Sequence, residues 1–413
     1  MERVKVFTKE KCYEGLLLES YDPEIVLLKL KNGYNIGIEK KSIIRIEKLG
    51  KISREEKKHE KEKSAKEKEN LPKIAIIATG GTIASRVDYT TGGVLAVEKP
   101  QDLLENFPEL EQIARFEVYV PFSMDSSQMS SKEWKKLARL SAKLLNKKDI
   151  KGIVILHGTD TLHYTASALS FMLHNINKPV VLTYSQRSID RGSSDAHLNF
   201  KCACLAALSD IAEVMVVGHE DTSDLSCVAF RGTKVRKMHS SKRAAFQSIN
   251  EEPLARIFSD RIEILNHRHK KRDEKAKVKA LPFFEEKVAL IKFFPGASKE
   301  IFDYFVKNKY KGIVIEAFGM GQISEKWIKS IKKAIASGIV VCIASQTIHG
   351  RVNPYVYAPA RKLKKAGALF LQDMLSETAF VKLGWLLAQY DEKKVKQLML
   401  ENFAHELNER LTG

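Results

Sequence analysis

The stretch Ile74-Ala75-Ile76-Ile77-Ala78-Thr79-Gly80-Gly81-Thr82-Ile83-Ala84 sets the reading of this chain. Five apolar residues in a row, bounded by a Gly-Gly turn, predict a strand buried on both faces, as in parallel sheets. The glycines permit a tight turn and leave the Thr82 hydroxyl at the strand's carboxyl end, the edge at which open α/β sheets bind ligands. Similar apolar runs recur at Ile153 to Leu156, Val180 to Thr183 and Val214 to Val217, separated by helical stretches. A second set occupies Val288 to Phe293, Ile313 to Glu316 and Val340 to Ile343, beyond the charged stretch His267 to Lys279. The expectation is two successive α/β units.

Upstream the period changes. Arg3 to Thr8, Cys12 to Glu19, Glu24 to Lys31, Tyr34 to Glu39 and Ile43 to Lys48 read as short strands, with Asn32-Gly33 as a type I′ hairpin turn. Five such strands predict a small β-barrel of the SH3-like or Sm-like kind, an architecture that serves RNA and protein recognition alike. Residues 51 to 70 hold fourteen Lys, Arg or Glu residues and almost nothing for a core, which predicts a linker. The expected division is a barrel at 1–50, a linker at 51–71, a catalytic α/β domain at 72–266, a charged connector at 267–285 and a second α/β domain at 286–413.

The 413 residues, 44% hydrophobic and 29% charged, suit a packed protein of two or three domains and exclude a peptide or a disordered chain. No apolar run nears the roughly 18 residues that span a bilayer, so a cytoplasmic, membrane-free protein is expected. Five scattered cysteines without Cys-x-x-Cys spacing argue against disulfides and structural zinc, and no metal site is expected. The net charge of +18 is uneven: residues 231–280 carry 15 Lys or Arg against 6 Asp or Glu, half the excess. That segment suits a polyanion or plain solubility, and His267 to Arg272 within it reads as a solvated connector.

A second motif follows the strand at Ile153: His157-Gly158-Thr159-Asp160-Thr161, running straight into a helix from Leu162. Taken singly, Gly-Gly-Thr marks a turn and Thr or Asp before a helix is an N-cap. Together, each at the carboxyl end of an expected strand, they would bring two threonines and an aspartate into one crevice. His157, between a buried strand and a glycine, reads as a hydrogen-bonded structural histidine.

With its two signatures in order, IAIIATGGTIASRVDYTTGGV and GIVILHGTDTLHYTA, the sequence resembles the L-asparaginase family of threonine amidohydrolases over about residues 72–400. The resemblance implies Thr82 as nucleophile, Tyr89 as the tyrosine over it on a mobile loop, Thr159 as second threonine and Asp160 as the group holding the substrate's amino group. Phe122 to Met129 resembles the substrate-carboxylate loop, with Ser126 the aligned serine, and Val235 to Phe246 resembles the segment of the catalytic lysine, Lys237 rather than Lys234. Amide hydrolysis through an acyl-enzyme needs these types: a nucleophile, a proton acceptor and donors for the oxyanion. Either threonine can attack; Thr82 is favoured, with Thr159 as orienter or activator of water. The secreted members place a glutamate in the C-terminal domain for the amino group, whereas here no acidic residue lies between Gln346 and Gln372.

A small barrel, a charged linker and an asparaginase-like body together resemble the D-subunit family of archaeal glutamyl-tRNA(Gln) amidotransferases. That resemblance implies release of ammonia from glutamine or asparagine for a partner E subunit, which uses ATP and Mg on Glu-tRNA(Gln), and a homodimeric core. No Gly-x-x-x-x-Gly-Lys-Ser/Thr loop occurs, so no cofactor is expected on this chain. The alternatives are a free-standing cytoplasmic L-asparaginase and a nonenzymatic RNA-binding or scaffold protein.

Overall fold

The computed structural model describes residues 2–9, 11–20, 22–30, 35–51, 70–87, 94–96, 104, 106–189 and 191–410. The expected Asn32-Gly33 turn, almost all of the expected linker and Tyr89 fall outside them. The amino-terminal strands β1 (Glu2–Thr8), β2 (Cys12–Leu18), β3 (Ile25–Leu30), β4 (Asn35–Glu39) and β5 (Ile43–Lys51) form one antiparallel sheet in the order β4-β3-β2-β1-β5. Alternation puts Val4, Val6, Val26, Leu28 and Ile38 into a small core of its own. The strand order and the single 3₁₀ turn (Lys40–Ser42) between β4 and β5 agree with the small β domain expected from the sequence, although no ladder joins β4 to β5 among the described residues.

The first α/β unit is built on β6 (Lys73–Ala78), β7 (Arg115–Tyr119), β8 (Ile150–Leu156), β9 (Val180–Thr183) and β10 (Val214–His219), all parallel, in the order β10-β9-β8-β6-β7. The near-continuous apolar character of β6, β8 and β9 follows from cover on both faces. Helices α1 (Ser131–Leu145) and α2 (Leu162–Met172) pack on one face and α3 (Ala196–Leu208) on the other. Antiparallel strands β11 (Ser226–Arg231), β12 (Ala255–Phe258) and β13 (Ile262–Ile264) extend the sheet beyond β10, where the apolar pattern alone suggested only parallel strands.

The second unit is a parallel sheet of β14 (Val288–Lys292), β15 (Gly312–Ala317), β16 (Val340–Ser345) and β17 (Leu369–Phe370) in sequential order. It keeps a core of its own around Phe302, Trp327 and Ile343, yet its other face merges with the first unit. One cluster runs from Ile77, Trp134, Leu169 and Phe230 to Val314, Ala379, Leu383 and Leu407. Helix α4 (Ser376–Leu387) lies between the two sheets, and its Trp385 stacks on Phe171 of α2 at 5.8 Å.

The charged stretch after His267 keeps most of its lysines in solvent, but its backbone is strapped down. Arg272 donates from Nη1 to Lys151 O at 2.5 Å and from Nη2 to Ser209 O at 2.7 Å. Asn146 and Asn177 donate to Val278 O and Ala276 O at 2.9 and 2.7 Å, and Lys279–Ala280 pairs with Leu173–His174. A stretch read as a solvated connector therefore seals the edge of the first unit through its amides and one guanidinium.

Candidate active site

Strands β6 and β8 are parallel neighbours in register to Leu156↔Ala78, so the two motifs that follow them leave the sheet side by side. Thr79 fastens the first to the second: its N and Oγ1 donate to Leu156 O at 3.1 and 2.9 Å, and its O accepts from Met124 N at 3.1 Å. Gly80 and Gly81 take φ of +107° and +80°, in the left-handed region that favours glycine. A Cβ on Gly81 would stand 2.5 Å from Gly158 N, so the absence of a side chain lets the Thr82 turn touch the Thr159 turn. Thr82 opens a 3₁₀ turn over Thr82–Ala84 and is partly exposed.

The third loop arrives the same way. Ser126 opens the 3₁₀ turn Ser126–Gln128, whose N-cap Asp125 accepts from Ser127 N. Buried Ser126 accepts from Asp160 N at its Oγ (3.3 Å) and from Thr161 Oγ1 at its carbonyl (2.7 Å). A Cβ on Gly158 would stand 2.7 Å from Ser126 Oγ. Gly158 is thus the meeting point of the loops carrying Thr82, Ser126 and Thr159.

The lysine comes from the hairpin of Val235–Lys237 with Phe246–Ser248. Lys237 Nζ donates to Thr159 Oγ1 and to Asp160 Oδ1, both at 2.8 Å, across more than seventy residues of sequence. Lys234, three residues earlier, is wholly buried and meets Asp373 Oδ2 at 2.6 Å, away from both threonines. Of the residues singled out from sequence, Thr159, Asp160, Lys237 and Ser126 are in direct contact, and Thr82 borders them through Gly81. Tyr89 lies outside the described residues. This arrangement supplies a hydroxyl, an ammonium bonded to a second hydroxyl, and a carboxylate at one sheet edge, the set an acyl transfer requires.

Neighbours that sequence reading passed over complete the surroundings. His163, in the first turn of α2, is buried; burial, with Arg236 and Lys237 nearby, pushes its pKa down to about 4, so its ring is neutral at pH 7. Its Nδ1 has no hydrogen-bond partner among the described residues. Arg236 pairs with buried Glu377 of α4 at 3.1 Å, so the second unit reaches the lysine strand through one carboxylate, while Ser376 beside it donates to Glu316 at 2.7 Å. Burial, with Glu377 and Glu316 nearby, holds the Tyr164 hydroxyl above the usual phenol range. The signal for these contacts is the alternation of Arg236 and Lys237 on one short strand, legible only once the partner helix is placed. No group of three or more His, Cys, Asp or Glu side chains among the described residues is placed to hold a metal ion, and no helix there is long and apolar enough to cross a membrane.

Comparison with known proteins bears on the same residues. Residues 73–270 match the asparaginase N-terminal family, 287–399 the glutaminase/asparaginase C-terminal domain and 1–49 the GatD N-terminal domain. The D subunit of the glutamyl-tRNA(Gln) amidotransferase from Thermococcus kodakarensis is 48% identical over 96% of this chain and 90% of its own. The corresponding D subunit from Methanococcus maripaludis strain S2 is 42% identical over 99% of this chain and 98% of its own. Among solved structures, the thermostable L-asparaginase from Thermococcus kodakarensis superposes with a TM-score of 0.74 at 30% identity, over 82% of this chain and all of its own. The two-domain α/β body and the appended β domain expected from the sequence are those of these relatives, and the chain belongs to the asparaginase family and, within it, to the D-subunit proteins of glutamyl-tRNA(Gln) amidotransferases.

Proposed function

We propose that this chain is the amidase component of a tRNA-dependent amidotransferase, releasing ammonia from glutamine or asparagine through a threonine acyl-enzyme. The observation that carries the reading is the Lys237 ammonium bonded to Thr159 and Asp160 beside Thr82, in a body that also bears the amino-terminal β domain. Thr82 Oγ attacks the side-chain amide carbon, and its proton leaves through Tyr89 or through the Thr159–Lys237–Asp160 set to the departing nitrogen. Ammonia departs, and water, activated by the same set, then cleaves the ester and frees glutamate or aspartate. Asp160, beside Ser126, holds the substrate's amino group. In this reading the ammonia passes to an E-type partner that uses ATP and Mg on Glu-tRNA(Gln), and this chain itself takes no cofactor. Two copies of the chain form the core of the assembly.

The competing reading is a free asparaginase, favoured by the likeness to solved L-asparaginases. The two are separated by assaying glutamine and asparagine hydrolysis by the purified chain, then adding partner, ATP and Glu-tRNA(Gln). A coupled amidase is stimulated by them, and Thr82→Val abolishes amidase turnover while the complex still uses added ammonium. High activity from the chain alone, indifferent to partner and tRNA, leaves the asparaginase. Wild-type turnover by Thr82→Val moves the nucleophile to Thr159.

A further inference from the structure

His157 is fully buried at the carboxyl end of β8, and both ring nitrogens are engaged: Nδ1 with Gly158 O at 2.6 Å, Nε2 with Thr165 Oγ1 at 2.9 Å. A carbonyl oxygen only accepts, so Nδ1 carries the proton and Nε2 is bare. The bare nitrogen accepts a hydrogen bond from the Thr165 hydroxyl, whose oxygen in turn accepts from Trp134 Nε1 at 3.1 Å. The other acceptor near that hydroxyl, Met129 Sδ, stands at 3.8 Å and is the weaker one. The chain of bonds therefore runs one way, from Trp134 on α1 through Thr165 on α2 and His157 to the Gly158 peptide. Burial pushes the ring's pKa down to about 4, so it remains neutral at pH 7 and the direction is kept.

Gly158 is where the loops of Thr82 and Ser126 converge on the turn of Thr159 and Asp160. We propose that His157 is a positioning residue for the amidase reaction, fixing the Gly158 carbonyl, and with it Thr159 and Asp160, by a directional Trp134–Thr165–His157–Gly158 hydrogen-bond chain. The role rests on the amidase reading above; the geometry it requires does not. A misplacement of about 1 Å in such a turn costs on the order of 10²-fold in rate.

Two measurements test it. In the full chain labelled with 15N-histidine, the His157 signal, assigned by its loss in His157→Asn, is expected to report Nδ1–H and a bare Nε2 at pH 7. The Nε2–H tautomer or an imidazolium overturns the proposal without any reference to turnover. In the assembled complex, His157→Asn, whose amide can reach the Gly158 carbonyl as Nδ1 does, is expected to keep kcat within about threefold, whereas His157→Gln and His157→Leu lose on the order of 10²-fold with little change in KM. Equal kcat losses in the Asn and Gln variants, or losses that simply follow unfolding temperature, make the histidine a packing residue and overturn the proposal. Failure of the coupled-amidase reading shows instead as high activity of the isolated chain, indifferent to partner and tRNA, with the His157 tautomer unchanged.

Discussion

Lys234 and Lys237 lie three residues apart, and each meets an aspartate from a distant part of the chain. The Lys234 side chain has no exposed surface, nor has its partner Asp373, and their contact at 2.6 Å joins the first α/β unit to the second. Lys237 keeps 13% of its side chain exposed, and its partner Asp160 keeps 63%. Burial favours the neutral form of Lys234 and pushes its pKa down, against the pull of Asp373. Its carboxylate is further held by Asn408, which donates from N at 2.9 Å and from Nδ2 at 3.0 Å. The comparison teaches that one kind of residue pair is a buried staple in one place and a solvent-reached contact in another, according to what surrounds it. A buried pair is costly to break because the survivor is left charged and dry. A solvent-facing pair contributes about 0–1 kcal/mol, so the geometry of Lys237 owes little to stability.

The contrast can be broken first at the Lys237 end. Lys237→Met is expected to lower kcat of the assembled amidase by 10²- to 10⁴-fold, roughly the contribution of a positioned group that relays a proton. Its unfolding free energy should change by less than about 1 kcal/mol. Near-normal turnover in steady-state glutaminase assays would remove the Lys237–Thr159–Asp160 set from the mechanism. At the other end, Lys234→Met should cost about 3–5 kcal/mol in denaturant unfolding, because Asp373 stays buried without its cation. Turnover per folded molecule should stay within a few-fold. Adding Asp373→Leu should restore part of the loss; a single variant as stable as wild type would show that the two units need no staple.

The smallest effect comes from a cluster at the sheet edge, where Glu117 on β7 meets Lys73 and Lys147, each at 2.9 Å, and the Tyr119 hydroxyl. Hydrogen bonds from Lys73, then Tyr119 and Lys147, lower the Glu117 pKa from 4.5 to about 2. A carboxylate depressed in the folded state stabilises above its unfolded pKa and loses that contribution as pH falls through its folded one. Wild type should therefore lose about 1 kcal/mol more than Glu117→Gln as pH drops from 4.5 to 2, the partial exposure of the cluster having cut the full linkage value. Parallel acid unfolding curves for the two proteins would leave Glu117 as surface decoration.

The parts of this molecule legible in its sequence were those with a strong local cause. The runs at Ile74, Ile153, Val180 and Val214 are apolar because helices cover both faces of the sheet, and they form strands β6, β8, β9 and β10. Thr82, Thr159 and Asp160 sit at strand ends, where the fold class itself says chemistry gathers, and resemblance selected Lys237 over Lys234. What stayed hidden depends on partners far along the chain. Nothing in the sequence around Asp373 links it to Lys234, and only their contact makes it a staple. Arg272 reads as one more solvated cation, yet it caps carbonyls at Lys151 and Ser209. β7, β12 and β13 mix charged with apolar residues, and the apolar run Cys227 to Phe230 in β11 does not by itself show that this strand pairs antiparallel to β10.

The sharing of one core by both α/β units sets the chain a problem in time. Phe171 on α2 is buried by Trp385 on α4, and Ser376, where α4 begins, comes 204 residues after Met172, where α2 ends. At synthesis rates of about 5–20 residues per second, that face of the first unit waits roughly 10–40 s outside the ribosome before its cover is made. An apolar surface left open for so long is a surface for neighbouring nascent chains as well as for α4. What shields the α2 face during translation therefore bears on the yield of folded protein separately from the stability of the finished fold.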